Sequence, residues 1–339
     1  MREGGGIMES FSDDVQENPP STRIYLSRVG VTGLRRVLRL KPQAHAVTRP
    51  HALFFAEMNL FAHLDAARSG VHMSRFAENI ESIASEMASE ASPNIETLAE
   101  RMALAIARTQ GTSRSEVRIR AQFPMTKRAP VSGGEVEDLF TFIGIAISDG
   151  RRTRRATGVE VDGLTVCPCA RFMVAQQSRE RLIASGYSAR QADEIIALLP
   201  LASHNQRGRG TLIIGAEAEI SAECLVELVE SSMSSEIYAL LKRPDELHVV
   251  TKAHANPRFV EDVVREMIKG IAQNLVSLPD DAFILARQEN FESIHAHNAY
   301  AERCGLLGDV RAELASDVCR CGARVTGAHS LESWLDGLL

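Results

Sequence analysis

Cys167-Pro168-Cys169 ends a long run of strand-forming residues. A proline between two thiols stops ladder pairing and fixes the turn that presents them. Further on, His204-Asn205-Gln206-Arg207 sets four hydrogen-bonding side chains where a core strand would want valine or isoleucine. His295-Ala296-His297, preceded by Glu292 and Ser293, has a spacing of two that puts both imidazoles on one side of an extended segment. Thiolate, imidazole and carboxylate together suit a divalent ion such as Zn²⁺ or Fe²⁺, with Mn²⁺ where oxygen ligands contribute, and an open position would hold a water. The carboxylates to consider are Glu227, Glu230, Glu236, Asp245-Glu246 and Glu261-Asp262. Glu227 and Glu230 read as the solvated face of a helix, whereas Glu246 falls in Leu241-Lys242-Arg243-Pro244-Asp245-Glu246, whose proline and paired charges read as a constrained loop. The basic groups that could meet an anion are Arg75, Lys127-Arg128, Arg207 and Arg209, while Arg151 to Arg155 read as a solvated turn. No glycine-rich phosphate loop is present.

These residues need elements to hold them. Residues 50–67 read as a strand and 74–109 as helices, by apolar residues at three- and four-residue spacing. Residues 115–130 and 137–169 read as long strands, the latter pair turning at Asp149-Gly150. Residues 170–200 read as two helices broken at Gly186, with Ser188 capping the second. A strand follows over 204–220, helices over 221–241 and 257–274, and a last strand over 281–290. The second half thus repeats the order of the first. We expect a mobile leader over 1–21, lobes over 22–155 and 156–307, and an extension over 308–339. In that extension Cys319, Cys321 and His329 lack a fourth ligand at zinc spacing, and the end containing Trp334 reads as a tail that packs on the body or frays.

The 339 residues are 45% apolar and 24% charged, enough for a sizeable core. The net charge of −6 offers no general attraction to nucleic acid or an anionic membrane. Six cysteines at these spacings read as thiols rather than a disulfide framework, and no apolar run approaches the ~20 residues that span a bilayer, so a cytoplasmic protein is expected.

Asp14-Val15-Gln16, Gly70-Val71-His72-Met73-Ser74-Arg75-Phe76, Lys127-Arg128-Ala129-Pro130-Val131-Ser132-Gly133-Gly134, Cys167-Pro168-Cys169-Ala170, His204 to Gly208, Leu241 to Glu246, Asn256 to Glu266 and Glu292 to Ala301 occur in order along the chain. Together they resemble the prokaryotic type IB GTP cyclohydrolase family. The resemblance implies an α+β bimodular tunnelling fold, antiparallel sheets with helices packed on one face, assembling into an oligomeric barrel. It also implies a homo-oligomer, a tetramer, with sites at subunit junctions. It sets Cys167, His204, Glu246 and His295 (or His297) around a divalent metal, Fe²⁺, Mn²⁺ or Zn²⁺, with Cys169 as a second catalytic thiol. Glu261 would anchor guanine, accepting paired hydrogen bonds from N1–H and the exocyclic amine. Arg207, Lys127, Arg75 and His72 would bind the rest of GTP, with Ser74 assisting.

The implied reaction is hydrolytic opening of the guanine imidazole ring at C8 with formate release, giving 7,8-dihydroneopterin triphosphate and beginning pterin synthesis. The long stretch between Cys169 and His204 resembles archaeal-type members, which implies 7,8-dihydroneopterin cyclic phosphate as the alternative product. Another tunnelling-fold enzyme of pterin or queuosine chemistry is the other reading, because fold alone does not fix the reaction.

Overall fold

A computed structural model describes residues 14–40, 52–89, 94–316 and 330–337. The elements in chain order are β1 (Leu26–Leu40), β2 (Ala52–Leu64), α1 (Met73–Ser89), α2 (Ile95–Gln110), β3 (Ser115–Arg128), β4 (Glu135–Ser148) and β5 (Thr153–Val166). Then come α3 (Pro168–Ala184), α4 (Ala189–Leu198), β6 (Asn205–Gly215), α5 (Ala222–Ser232), β7 (Ser235–Glu236), α6 (Arg243–Ala255), α7 (Val260–Asn274), β8 (Phe283–Asn290), β9 (Ala299–Leu306), α8 (Leu307–Ala315) and α9 (Leu331–Leu335). One antiparallel sheet runs in the order β1-β2-β3-β4-β5-β6-β8-β9, with β7 paired to β5. This is the expected α+β arrangement, antiparallel strands with a helical layer.

Strand alternation assigns the two faces. Val117, Ile119, Val159, Val161, Leu212, Ile214, Ile284 and Ala286 point to a core shared with α1, α2, α5, α7 and α8. Alternate positions Ile143, Ile145, Ile147, Ile213 and Phe283 point the other way, into a smaller cluster with Leu331, Trp334 and Leu335 of α9. Gly215 makes that contact possible, because a Cβ there would sit 2.6 Å from the Trp334 ring. The indole N–H donates to the Asp281 carbonyl at 2.9 Å, and the Arg154 guanidinium lies 5.0 Å from the ring. The end containing Trp334 therefore packs on the body, while Cys319, Cys321 and His329 lie outside the described residues.

Several local readings are corrected. The helix expected over 221–241 stops at Ser232, because β7 adds to β5 at once and ties Leu164 to Ser235. Glu246 is not in a loop but in the first turn of α6. The fully buried Asp245 makes that helix start, accepting from Val131 N and Ser132 N at 2.9 and 2.8 Å, Ser132 Oγ at 2.7 Å and Lys242 N at 3.0 Å. Glu230 is not solvated: it takes a 2.6 Å hydrogen bond from Lys127 Nζ across the helix–sheet layer. The turn at Asp149-Gly150 is as expected, Asp149 accepting from Arg151 N and Arg152 N with Gly150 at φ +87°. Arg154 and Arg155 of that basic run are not solvated but engage Trp334 and Glu100.

Candidate active site

The chain leaves the sheet at Cys167 and re-enters it at His204, and both residues follow from strand register. Val166 is paired with Asn205, so the residues flanking this last pair are neighbours although the whole α3–α4 hairpin lies between them. Cys167 N–H donates to the His204 carbonyl at 3.2 Å, and Ser203 Oγ donates to the Cys167 carbonyl at 2.7 Å. Cys167 caps α3, its sulfur accepting from Ala170 N at 3.4 Å, with Pro168 in the first turn where a missing N–H costs nothing.

Behind His204 stands the nearly buried Gln206, anchored through Nε2 to Thr165 Oγ1 at 3.0 Å. Gln206 Oε1 lies 3.1 Å from His204 Nδ1, and Glu292 Oε2 lies 3.7 Å from the same nitrogen. The Gln206 oxygen on Nδ1, with the Glu292 carboxylate facing the same nitrogen beyond hydrogen-bond distance, assigns the proton there and leaves the Nε2 lone pair for a ligand. The loop after β8 supplies the rest. The His295 ring stands edge-on to His204 at 6.3 Å, and His297 stacks on His295 at 5.3 Å. The period of two thus keeps both imidazoles together, although the segment bends rather than extending as a strand. Glu261 enters from the first turn of α7, whose start is fixed by the hydrogen bond from Arg258 N to the Val166 carbonyl at 3.0 Å.

Cys167, His204, Glu261, Glu292, His295 and His297 line one cleft of about 220 Å³. A larger hollow of about 460 Å³ holds Arg120, Glu160, Asp162 and Arg209, but those charges are paired with one another and no thiol or imidazole faces it. The smaller cleft is the one equipped for chemistry. Its buried Glu292 Oε2 has no hydrogen-bond donor, a state that a cation or a protonated imidazole relieves.

Other expected site residues lie outside this cleft. Cys169 is exposed on α3, and Glu246 is exposed on α6. Arg207 projects from the face of β6 opposite Gln206 and lines the larger hollow. Lys127 is held by Glu230, the Ile237 carbonyl and the Tyr238 ring, 4.2 Å from its ammonium. Arg75 donates to the Thr109 carbonyl at 3.0 Å. His72 Nε2 lies 3.1 Å from Asp14 and 3.7 Å from Glu17, and these three form the one grouping among the described residues whose potential metal-ligand atoms lie within 4.8 Å of one another. Arg68 also contacts Glu17, so that group already has a cation.

Residues 13–301 match the family described as Type I GTP cyclohydrolase folE2. The chain belongs to this GTP cyclohydrolase family. It is 37% identical to GTP cyclohydrolase MptA of Methanothermobacter thermautotrophicus over 308 residues, covering 89% of this chain and 95% of that one. The MptA of Methanocaldococcus jannaschii is 36% identical over 310 residues, 89% and 98% of the two chains. Among solved structures, uricase from Arthrobacter globiformis aligns over 82% of this chain and 93% of its own at a TM-score of 0.46 and 9% identity.

For this cyclohydrolase-family chain, sequence reasoning missed two members of the cleft constellation. Gln206 was legible only as part of a polar strand start, and Glu292 only as a neighbour of the histidine pair. The signal for Gln206 was its polar type at a position the strand buries, where it is 6% exposed. No helix among the described residues is long and apolar enough to cross a membrane.

Proposed function

We propose that the chain is a metal-dependent GTP cyclohydrolase that opens the guanine imidazole ring of GTP and releases C8 as formate. The observation that carries this reading is the single cleft lined by Cys167, His204, His295, His297, Glu292 and Glu261. Thiolate, imidazole and carboxylate suit Fe²⁺, Zn²⁺ or Mn²⁺, and the orphaned oxygen of Glu292 fits a cationic occupant. Cys167, His204 and His295, or His297 in its stead, would hold the ion. Glu246 lies outside the cleft of its own chain, so Glu246 of the partner subunit would complete the set in a homo-oligomer, a tetramer with sites at its junctions. The ion when bound makes water a nucleophile at neutral pH.

The protein's own groups do the rest. Glu261 accepts the two adjacent donors of the guanine edge and orients C8 toward the thiol end of the cleft. Water adds at C8, the imidazole ring opens and a second water frees the formyl carbon, so protons must move from water to the purine nitrogens. Cys169 and the free imidazole of the histidine pair are the carriers. Gln206 and Glu292 hold His204 in one tautomer and orientation. Arg207, exposed and without an ion pair among the described residues, lies outside the cleft of its own chain, as do Arg75, Lys127 and His72, so these four would meet the phosphates across a subunit junction.

The product is 7,8-dihydroneopterin carrying either the triphosphate or a cyclic phosphate. Near full-length similarity to archaeal MptA proteins favours the second. Chelator-treated protein, assayed anaerobically with GTP and each metal in turn, tests the reading. Formate and an oxidisable fluorescent pterin are expected with at least one metal, and mass analysis of the product assigns its phosphate. GTP binding with no turnover under any of the three metals overturns it.

A further inference from the structure

The core-facing side of β8 changes character along the strand. Ile284 and Ala286 pack into the main core, and the same side continues with Gln288 and Asn290, 0 and 2% exposed. Two carboxamides thus stand where apolar side chains would be expected, a placement that is costly unless each polar group finds a partner. In part they partner each other: Gln288 Nε2 donates to Asn290 Oδ1 at 2.9 Å. Opposite them in register on β6 are Gly210 and Gly208. A Cβ at position 208 would come within 2.2 Å of Gln288 Nε2 and 2.6 Å of Asn290 Oδ1, so the amide pair fills the space a side chain there would take.

The pairing leaves one group over at each end. Gln288 Oε1 is sealed in the core without a donor. Asn290 Nδ2 has no acceptor among the described residues, but it is not sealed, and Asn290 lines the cleft that also holds Cys167 and Glu261. Turning both amides over would bury an orphaned NH2 with two protons in place of an orphaned carbonyl, the costlier of the two. The pair therefore presents a donor to the cleft, not an acceptor. Two residues further on, Glu292 faces His204, so this donor stands beside the proposed centre.

The other neutral and cationic donors on the cleft wall are engaged. Gln206 Nε2 is bound to Thr165, and Arg258 to Asn256 and Glu266. A guanine whose N1–H and exocyclic amine are taken by Glu261 still brings a carbonyl, O6, into the cleft, and burying that oxygen without a donor would cost binding. We infer that Asn290, held in place by Gln288, reads the O6 carbonyl of the purine and rejects a base with an amine there, a role that rests on GTP being the substrate. An adenine 6-amine would set donor against donor. Asn290 is thus a specificity residue and Gln288 its positioning residue.

The test is a cycle of ligand and side chain, read by equilibrium binding to the chelator-treated full chain so that no turnover intervenes. 6-Thio-GTP keeps N1–H and the exocyclic amine but replaces O6 by sulfur, a weaker acceptor. Wild type is expected to bind GTP ~10-fold more tightly than the thio analogue. Asn290→Ala should weaken GTP by ~10-fold and the analogue little, so that the preference disappears. Asn290→Asp keeps an acceptor for Gln288, and with it the packing of the strand, but turns lone pairs toward O6; it should show no preference for GTP either. Gln288→Leu unties the amide and should lose part of the preference. A merely structural role would weaken both nucleotides together and keep their ratio at the wild-type value. That ratio in a folded Asn290 variant, or a wild type that binds both nucleotides alike, overturns the inference and leaves the ring-opening reading in place. Discrimination through Asn290 in a protein that releases no formate with any metal would leave the base-reading role standing and remove the reaction, whereas failure to bind either nucleotide removes both.

Discussion

The backbone N–H of Cys167 donates to the carbonyl of His204 at 3.2 Å, so these two residues share a main-chain bond as well as a cleft. Their separation is set by the antiparallel register of β5 and β6, not by the mobility of long side chains. A side-chain change at Cys167 therefore leaves their backbone relation intact. Cys167→Ala removes the sulfur and only one weak hydrogen bond, to Ala170 N. Melting temperature is expected to change by a few degrees at most, while metal retained after gel filtration and formate release from GTP both fall. The fall should exceed the ~10–100-fold typical of changes to residues that merely support a ligand. Near-normal turnover in the folded variant would remove the thiol from the centre.

Glu292 supplies the complementary case. Its Oε2 is buried without a donor, 3.7 Å from His204 Nδ1. Glu292→Gln keeps the shape, removes a buried charge and weakens the hold on the His204 tautomer. Metal affinity is expected to fall ~10–100-fold with no loss of thermal stability. A metal titration and a melt on the same preparation separate this from a structural role, for which both readouts would drop together.

The elements that hold these residues were unequally legible. β2, β3, β4, β5 and β6 alternate or run apolar over long stretches, and their reading survives. β1 was missed because its register is interrupted between Leu26 and Val29 and again between Val31 and Leu34, which breaks the period of two on which strand reading depends. α6 was missed because Leu247, Val249, Val250 and Ala253 are spread around the helix rather than gathered in a stripe; it is held instead by Asp245 at its start. Cys167, His204 and the histidine pair were legible from residue type, as thiols at the end of a strand, a polar strand start and two imidazoles spaced by two, whereas Glu261 was singled out only by the family resemblance. Glu292 was not, because its role is visible only when the loop after β8 folds back onto His204.

Asp245 joins the loop after β3 to the start of α6, and so to Glu246. Burial alone would raise its pKa, but hydrogen bonds from Ser132, Lys242 and Val131 outweigh that and hold the carboxyl well below the usual range. A depressed carboxyl contributes stability that is present above its unfolded value of ~4 and is lost as pH falls through the folded value. Wild type should therefore lose stability below about pH 4. Asp245→Asn has one acceptor oxygen for the donors that two now serve. Its melting temperature at neutral pH is expected to drop by several degrees, with a shallower acid limb. Equal slopes for both proteins between pH 5 and 2 would contradict this.

Glu96 has the opposite sign. It is 2% exposed between α2 and the sheet, and its Oε1 has no hydrogen-bond partner. Burial pushes its pKa from 4.5 up to about 7, against the opposing pull of Arg155 and Thr157. A group raised in the folded state favours folding most when protonated, so its contribution is complete below ~4.5 and is lost as pH rises through about 7. The swing across that window is at most about 3 kcal/mol. Glu96→Gln mimics the protonated form: it should melt like wild type at pH 5 and several degrees higher at pH 8. Parallel melts at the two values decide it, because a carboxylate comfortably ionised in the core would make the substitution neutral or harmful at both.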